Sequence, residues 1–288
     1  DEEGARFAPD MLGSLVYVGG LALEEALDIT ATDGARLGDE LDRIGYAGPF
    51  PCPTATPPRA YVELHIEQGP ILEDEGVTIG VVEGVQGISW TELTIDGRSA
   101  HAGTTPMRLR RDAGYAAAAI ATFVRRLAGE LGGAQVATVG RLELAPGLVN
   151  VVANRAVLTV DLRNTDEAVL REAEARLHAE VDRLAAAEQV RIERRSLARF
   201  EPVEFDPATV DLVEATARRL GHSTRRLPSG AGHDAQMLAR ICPAAMIFTP
   251  SAGGLSHNIA AYTAPDDVTA GADVLLHPVL ALAEPVLH

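Results

Sequence analysis

Residues 155–188, RAVLTVDLRNTDEAVLREAEARLHAEVDRLAAAE, change their repeat part-way along. Positions 155–163 alternate as a β-strand, whereas 166–188 carry apolar residues at helical spacing behind a possible N-cap at Thr165. Outward from this pair, 190–195 (VRIERR) reads as a closing strand, and 135–144 (QVATVGRLEL) and 88–96 (ISWTELTID) as two earlier ones. A long Ala/Arg/Leu helical stretch, 109–131, separates those two. The order βαββαβ builds a self-sufficient sandwich of two helices on an antiparallel sheet, expected as an inserted domain over about 85–198.

The flanking parts, 1–84 and 199–288, read differently and belong together. Before the insert come helical stretches near 20–29 and 36–44, a Pro-rich loop (PFPCPTATPP) and a strand within YVELHIEQGP, residues 61–70. After it, Asp206-Pro207 starts a helix that Gly221 should stop, followed by a short strand near 224–227, a helix after Gly232, the apolar strand AAMIFTP, a Gly-rich loop and a last helix from about Asp266. Strands alternating with helices over short loops imply an α/β domain, discontinuous in sequence.

A chain of 288 residues with 47% hydrophobic content is long and apolar enough for a buried core. Its net charge of −16, with every one of the 25 basic residues an arginine, repels nucleic acid and anionic lipid and leaves small molecules as the expected partners. Only Cys52 and Cys242 are present, so no disulfide framework is expected and a reducing cytoplasm is favoured. The longest small-apolar run, Ala113 to Val124, falls short of the roughly 20 residues needed to cross a bilayer. The chain opens on Asp1 rather than Met and reads as a piece of something longer, with neither signal peptide nor leader.

Four polar clusters fall at loops or strand ends: Glu2-Glu3, His65, His101 within SAHAGTTP, and His257 within GGLSHN. Val62, Leu64 and Ile66 share one face of the 61–66 strand, and Glu63, His65 and Glu67 the other, which read alone fits a solvated edge as well as a site. A discontinuous domain can bring Glu3, His65 and His257 together, and His with carboxylate is a donor set for a divalent metal. Adjacent Glu2 and Glu3 point different ways, so one can bind metal while the other accepts a proton; an acidic helix start is the plainer reading. SAHAGTTP places His101 either against a ligand or in a structural loop. In SGAGHDAQ, the backbone from Ser229 to Gly232 forms a plausible carboxylate nest using Gly230 and Gly232, and His233 fits either a place behind the site or a helix start.

Taken together and in order, DEEGARF, VELHIEQGP, GRSAHAGTTPM, PGLVNVV, VDLR, SGAGHDAQ and GGLSHN resemble the zinc-dependent amidohydrolases that include N-carbamoyl-L-amino-acid hydrolase, bacterial-type β-ureidopropionase and allantoate amidohydrolase, a branch of the M20 metallopeptidase superfamily. The resemblance implies a catalytic α/β domain interrupted by a ferredoxin-like βαββαβ lid that mediates homodimerisation. It implies two divalent metal ions, zinc or alternatively manganese, cobalt or nickel, with Glu3, His65 and His257 as ligands and Glu2 as general base. Gln68, Asn150 and Arg163 resemble substrate contacts, and His101 the lid histidine that reaches the partner subunit's site. The implied substrate is an N-carbamoyl-L-amino acid or another ureido compound such as allantoate. A dipeptidase or aminoacylase is the alternative within the superfamily, and a non-catalytic dimerisation or binding fragment the alternative outside it. The family's His-x-Asp segment and bridging aspartate belong upstream of Glu2-Glu3. This stretch alone is therefore expected to hold a metal pair weakly and to expose apolar sheet surface that missing strands would cover.

Overall fold

The computed structural model describes residues 4–31, 33–53 and 56–283. They fall into two compact units, one made of the chain up to Val85 together with Val203 onward, the other of Gln86–Pro202. The first unit opens with α1 (Leu12–Tyr17), α2 (Leu23–Leu27), α3 (Leu37–Ile44), β1 (Tyr61–Ile66), α4 (Ile71–Glu75) and β2 (Ile79–Val85). The second holds β3 (Gly87–Asp96), β4 (Ala100–His101), α5 (Ala113–Leu131), β5 (Val136–Ala145), β6 (Val151–Val152), β7 (Arg155–Asn164), α6 (Glu167–Glu188) and β8 (Arg191–Phe200). The chain then returns to the first with β9 (Val203–Glu204), α7 (Pro207–Arg219), β10 (Thr224–Ser229), α8 (Asp234–Leu238), β11 (Ala244–Thr249) and α9 (Pro265–Ala283).

In the first unit the sheet runs β1-β11-β2-β10, with β9 also paired to β2. β1 lies parallel to β11 with His65 opposite Phe248, and β2 is antiparallel to β11 and parallel to β10. All six residues of β11 are buried, and β2 is buried except at Glu83. A strand covered on both faces shows no alternation, which is why IGVVEGV escaped the sequence reading although it pairs with three other strands. β1 does alternate. Leu64 packs on α9, where a Cβ on Gly271 would stand 2.7 Å from Leu64 Cδ1 and 2.6 Å from Thr249 Cγ2. Glu63, on the other face, reaches α8. Asp206 caps α7 as its sequence implied, accepting from Thr209 N at 2.8 Å and Thr209 Oγ1 at 2.7 Å.

The second unit is a four-stranded sheet in the order β5-β7-β3-β8, antiparallel at every pairing. Leu93 and Ile95 of β3 and Leu158, Val160 and Leu162 of β7 form one core with Ile120 and Leu127 of α5 and Leu170, Leu177 and Val181 of α6. Away from that core, Glu92 lies between Arg195 at 2.9 Å and Arg141 at 3.5 Å. Two helix starts differ from expectation. Asp166, not Thr165, caps α6, because its carboxylate reaches both Ala168 N at 2.7 Å and Val169 N at 3.2 Å. α5 begins at Ala113 rather than 109, since Asp112 accepts from Tyr115 N and Met107–Leu109 forms a separate 3₁₀ turn. Among the described residues no helix is long and apolar enough to cross a membrane.

Gly271→Ala tests the close seat of α9 on β1. Helix propensity favours alanine by up to about 1 kcal/mol, but a methyl 2.6 Å from buried Thr249 overpacks the seat at a cost of about 1–3 kcal/mol. A lower urea midpoint is expected, and a raised one would show that the helix is free to shift.

Candidate active site

Both glutamates on the polar face of β1 are engaged. Glu67 caps the start of α4, its two carboxylate oxygens each accepting at 2.8 Å from Ile71 N and Leu72 N. Glu63 Oε2 accepts from Ala235 N at 2.9 Å, at the start of α8, and Glu63 Oε1 lies 3.6 Å from His233 Nδ1, too long for a hydrogen bond. Burial pushes the Glu63 carboxyl upward, but His233 and the Ala235 N–H outweigh it and hold the group below the ordinary carboxylate value. The same carboxylate, after burial itself, helps push the Tyr61 phenol well above its usual range.

His233 is buried at the N-cap of α8, its Nε2 2.8 Å from Ser229 Oγ and its ring set edge-to-face against His65 with centroids 4.7 Å apart. The nest suggested by SGAGHDAQ is thus partly closed from within. Ser229 Oγ takes the Ala231 N–H at 3.1 Å, and the anion that meets the start of α8 is Glu63. Gly232 lies against Met11, whose Cε would stand 2.9 Å from a Cβ there.

β1 and β11 run parallel, so the turn after one and the loop after the other leave the same end of the sheet. Gln68 follows β1 in the left-handed region at φ 59°, its N–H donated to Ser251 Oγ at 3.1 Å, and Ser251 is wholly buried. Glu73 Oε2 accepts from Gly253 N at 2.7 Å, and a Cβ on Gly254 would stand 2.9 Å from Pro70 N, so the GGLSHN loop lies directly on the Gln-Gly-Pro turn. His257, exposed on that loop, also has a positive φ of 51°. Left-handed backbone is uncommon outside glycine and collects where a fold fixes functional groups, and both expected site residues here adopt it.

Glu2 and Glu3 lie outside the described residues. Among those described, no three His, Cys, Asp or Glu side chains gather around one metal-sized position. His65 nevertheless has the donor chemistry a divalent metal requires. Its Nδ1 donates to the Ile66 carbonyl at 2.8 Å, which leaves the lone pair on Nε2.

In the second unit, His101 has the opposite arrangement. Its Nδ1 accepts from Gly103 N at 3.0 Å and Thr104 N at 3.2 Å, which places the proton on Nε2 as an outward donor. β4 pairs with β6, with His101 opposite Val151, and Ala102 N donates to the carbonyl of Asn150 at 2.9 Å, so His101 and Asn150 share one corner. Arg163 does not join them. It lies near the far end of β7, eight residues beyond Arg155, which at ~3.4 Å per residue is roughly 25 Å from that corner. Asp161 holds its guanidinium through Nε and Nη2, the latter at 2.8 Å, and the Trp90 ring lies 5.8 Å away.

The family model described as peptidase family M20/M25/M40 matches residues 1–281. The chain belongs to this family. An N-carbamoyl-L-amino-acid amidohydrolase of Rhizobium meliloti is 45% identical over 284 residues, covering 99% of this chain and 68% of that protein. A solved amidase of the hydantoinase/carbamoylase family from Burkholderia multivorans superposes with a TM-score of 0.96 at 45% identity, over 99% of this chain and 70% of that one. An allantoate amidohydrolase of Escherichia coli (strain K12) is 36% identical over 276 residues, covering 96% of this chain and 67% of that protein. M20-family amidohydrolases are divalent-metal dependent.

The sequence reading of this M20 chain left Glu63 and Ser251 out of the site and gave Ser229 only a backbone part in it. Glu63 carried a usable signal, standing two residues before His65 on the same strand face. Replacing Glu63 with alanine strands the Ala235 N–H and the buried His233, at an expected cost of about 1–3 kcal/mol in chemical denaturation. Glu63→Gln, which keeps an acceptor, should recover part of that loss; equal losses for both would show that the carbonyl geometry is irrelevant.

Proposed function

We propose that this M20-family chain hydrolyses a linear, non-peptide C–N bond in a small ureido compound. The favoured substrate is an N-carbamoyl-L-amino acid, converted to the amino acid, carbon dioxide and ammonia, with allantoate as the nearest alternative. The observation that best supports this reading is the pair of opposite tautomers, His65 with a lone pair on Nε2 and His101 with a proton there. Such hydrolysis needs both a ligand for a cation and a donor for developing negative charge.

Together with the family's upstream His-x-Asp segment and bridging aspartate, His65, Glu3 and His257 would hold two divalent ions, zinc, manganese, cobalt or nickel all suiting such ligands. When bound, the ions polarise the ureido carbonyl and lower the pKa of water from 15.7 toward ~7. Glu2 takes the proton from attacking water and returns it to the leaving nitrogen. His101 donates from Nε2 to the tetrahedral oxyanion. Gln68 and Asn150 offer polar contacts to the substrate, the Gly230–Gly232 backbone lines its binding place, and Arg163 recognises the α-carboxylate with its planar fork, whose plane Asp161 fixes.

A carbamoyl amino acid is far shorter than the span between Arg163 and the His101–Asn150 corner. If both ends act on one substrate, they come from two copies of the chain, which agrees with a homodimer formed through the 86–202 unit acting as a lid. Two unpaired cysteines agree with a cytoplasmic setting.

Ammonia or amine release from metal-loaded protein tests the chemistry across N-carbamoyl-L- and D-amino acids, allantoate, N-acetyl amino acids and dipeptides. The ureido compounds are expected to exceed the others in kcat/KM by roughly tenfold or more. Equal or faster dipeptide or N-acyl cleavage would overturn the reading in favour of a dipeptidase or aminoacylase.

A further inference from the structure

We infer that Arg110 is the positioning residue that presets His101 as an Nε2–H donor, an inference that rests on the donor role proposed for His101. Arg110 is half-buried just after the His101 loop and stands in the unremarked run RLRR. Its Nη2 donates to the Ala102 carbonyl at 2.5 Å and its Nε to the Thr105 carbonyl at 3.0 Å. These two points straddle Gly103 and Thr104, the residues whose N–H groups point at His101 Nδ1.

The connection is geometric. The Ala102 carbonyl and the Gly103 N–H belong to one planar trans peptide, so they point in opposite directions. Holding that oxygen toward the guanidinium turns the N–H toward the imidazole. A single planar fork spans both carbonyls, which the point charge of a lysine ammonium cannot do in the same geometry. The loop is closed elsewhere by Thr105 N donating to the His101 carbonyl at 3.1 Å and Ala102 N donating to the Asn150 carbonyl. Neither of those bonds fixes the plane of the 102–103 peptide toward Nδ1. With two N–H groups aimed at Nδ1, a proton there would face donors on both sides, so the ring carries it on Nε2. Were the loop released, the ring would be free to hold its proton on Nδ1 and present a lone pair to a developing oxyanion. Arg110 therefore decides whether His101 attracts or repels that charge.

The test uses the full chain with ¹⁵N-labelled histidine, His101 being assigned by the signal lost in His101→Gln. Long-range ¹H–¹⁵N correlations should show a single Nε2–H tautomer in the wild type and a mixture in Arg110→Ala, with Arg110→Lys in between. On the ureido substrate, kcat should fall roughly 10- to 100-fold in Arg110→Ala. KM should stay within about twofold, since ground-state binding is untouched. Guanidinium ion, added below the concentration that unfolds the wild type, should restore the tautomer and part of kcat in Arg110→Ala, which a general loss of folding would not allow. The inference is overturned if Arg110→Ala keeps a pure Nε2–H ring with wild-type kcat, or if the wild-type ring carries its proton on Nδ1. A tautomer that shifts and is rescued by guanidinium in a chain that cleaves no ureido compound would uphold the positioning role and refute the functional reading instead.

Discussion

A β-strand cannot shorten, and the site proposed for this chain depends on that constraint. Eight residues of β7 separate Arg163 from the end nearest the corner that bears His101 and Asn150, and β7 is paired along its length to β3 and β5. The core of Leu158, Val160 and Leu162 beneath it removes any freedom to fold one end toward the other. Carboxylate recognition and oxyanion stabilisation are thus assigned to places that one small substrate cannot bridge within a single copy. On the proposed reading a second copy would be part of the chemistry rather than an accessory to it.

At each end of the proposed machinery, backbone groups settle where a histidine proton resides. The Ile66 carbonyl draws it to Nδ1 of His65, and the Gly103 and Thr104 N–H groups exclude it from Nδ1 of His101. One ring is left with a lone pair on Nε2 and the other with a proton there, although the residue type is the same. Around His65 the arrangement is reinforced by the buried His233, itself held between Ser229 and the charged Glu63. A buried carboxylate without those partners would carry a large desolvation cost, so the face of β1 that carries His65 is stabilised only as a set.

Elements with one exposed face were legible in the sequence, because alternation and helical spacing survive wherever water meets one side. β3, β5, β7 and α6 of the 86–202 unit emerged almost to the residue, whereas β8 runs five residues beyond its reading. β2 and the two-residue β4 and β6 did not, the first because both faces are buried and the others because two residues carry no period. His65, Gln68 and His257 were legible as residue types at a strand end and in loops, which is where the structure places them. Glu63, Ser251 and Arg110 were not, since their roles depend on partners 172, 183 and 8 residues away and on the direction of a peptide plane. Motif spacing also suggested a ligand nest at Ser229–Gly232, where folding turns the Ala231 N–H toward Ser229 and gives the start of α8 to Glu63.

The most direct test is complementation between two defective chains. His101→Ala and Arg163→Ala, each with little activity alone, are co-expressed and the mixed assembly is assayed on the ureido substrate. A site shared by two copies leaves one intact constellation in each mixed dimer, so statistical mixing should restore roughly a quarter of wild-type activity. Mixed dimers as inactive as their parents would contradict a site completed by a second copy and place both residues' work within one chain.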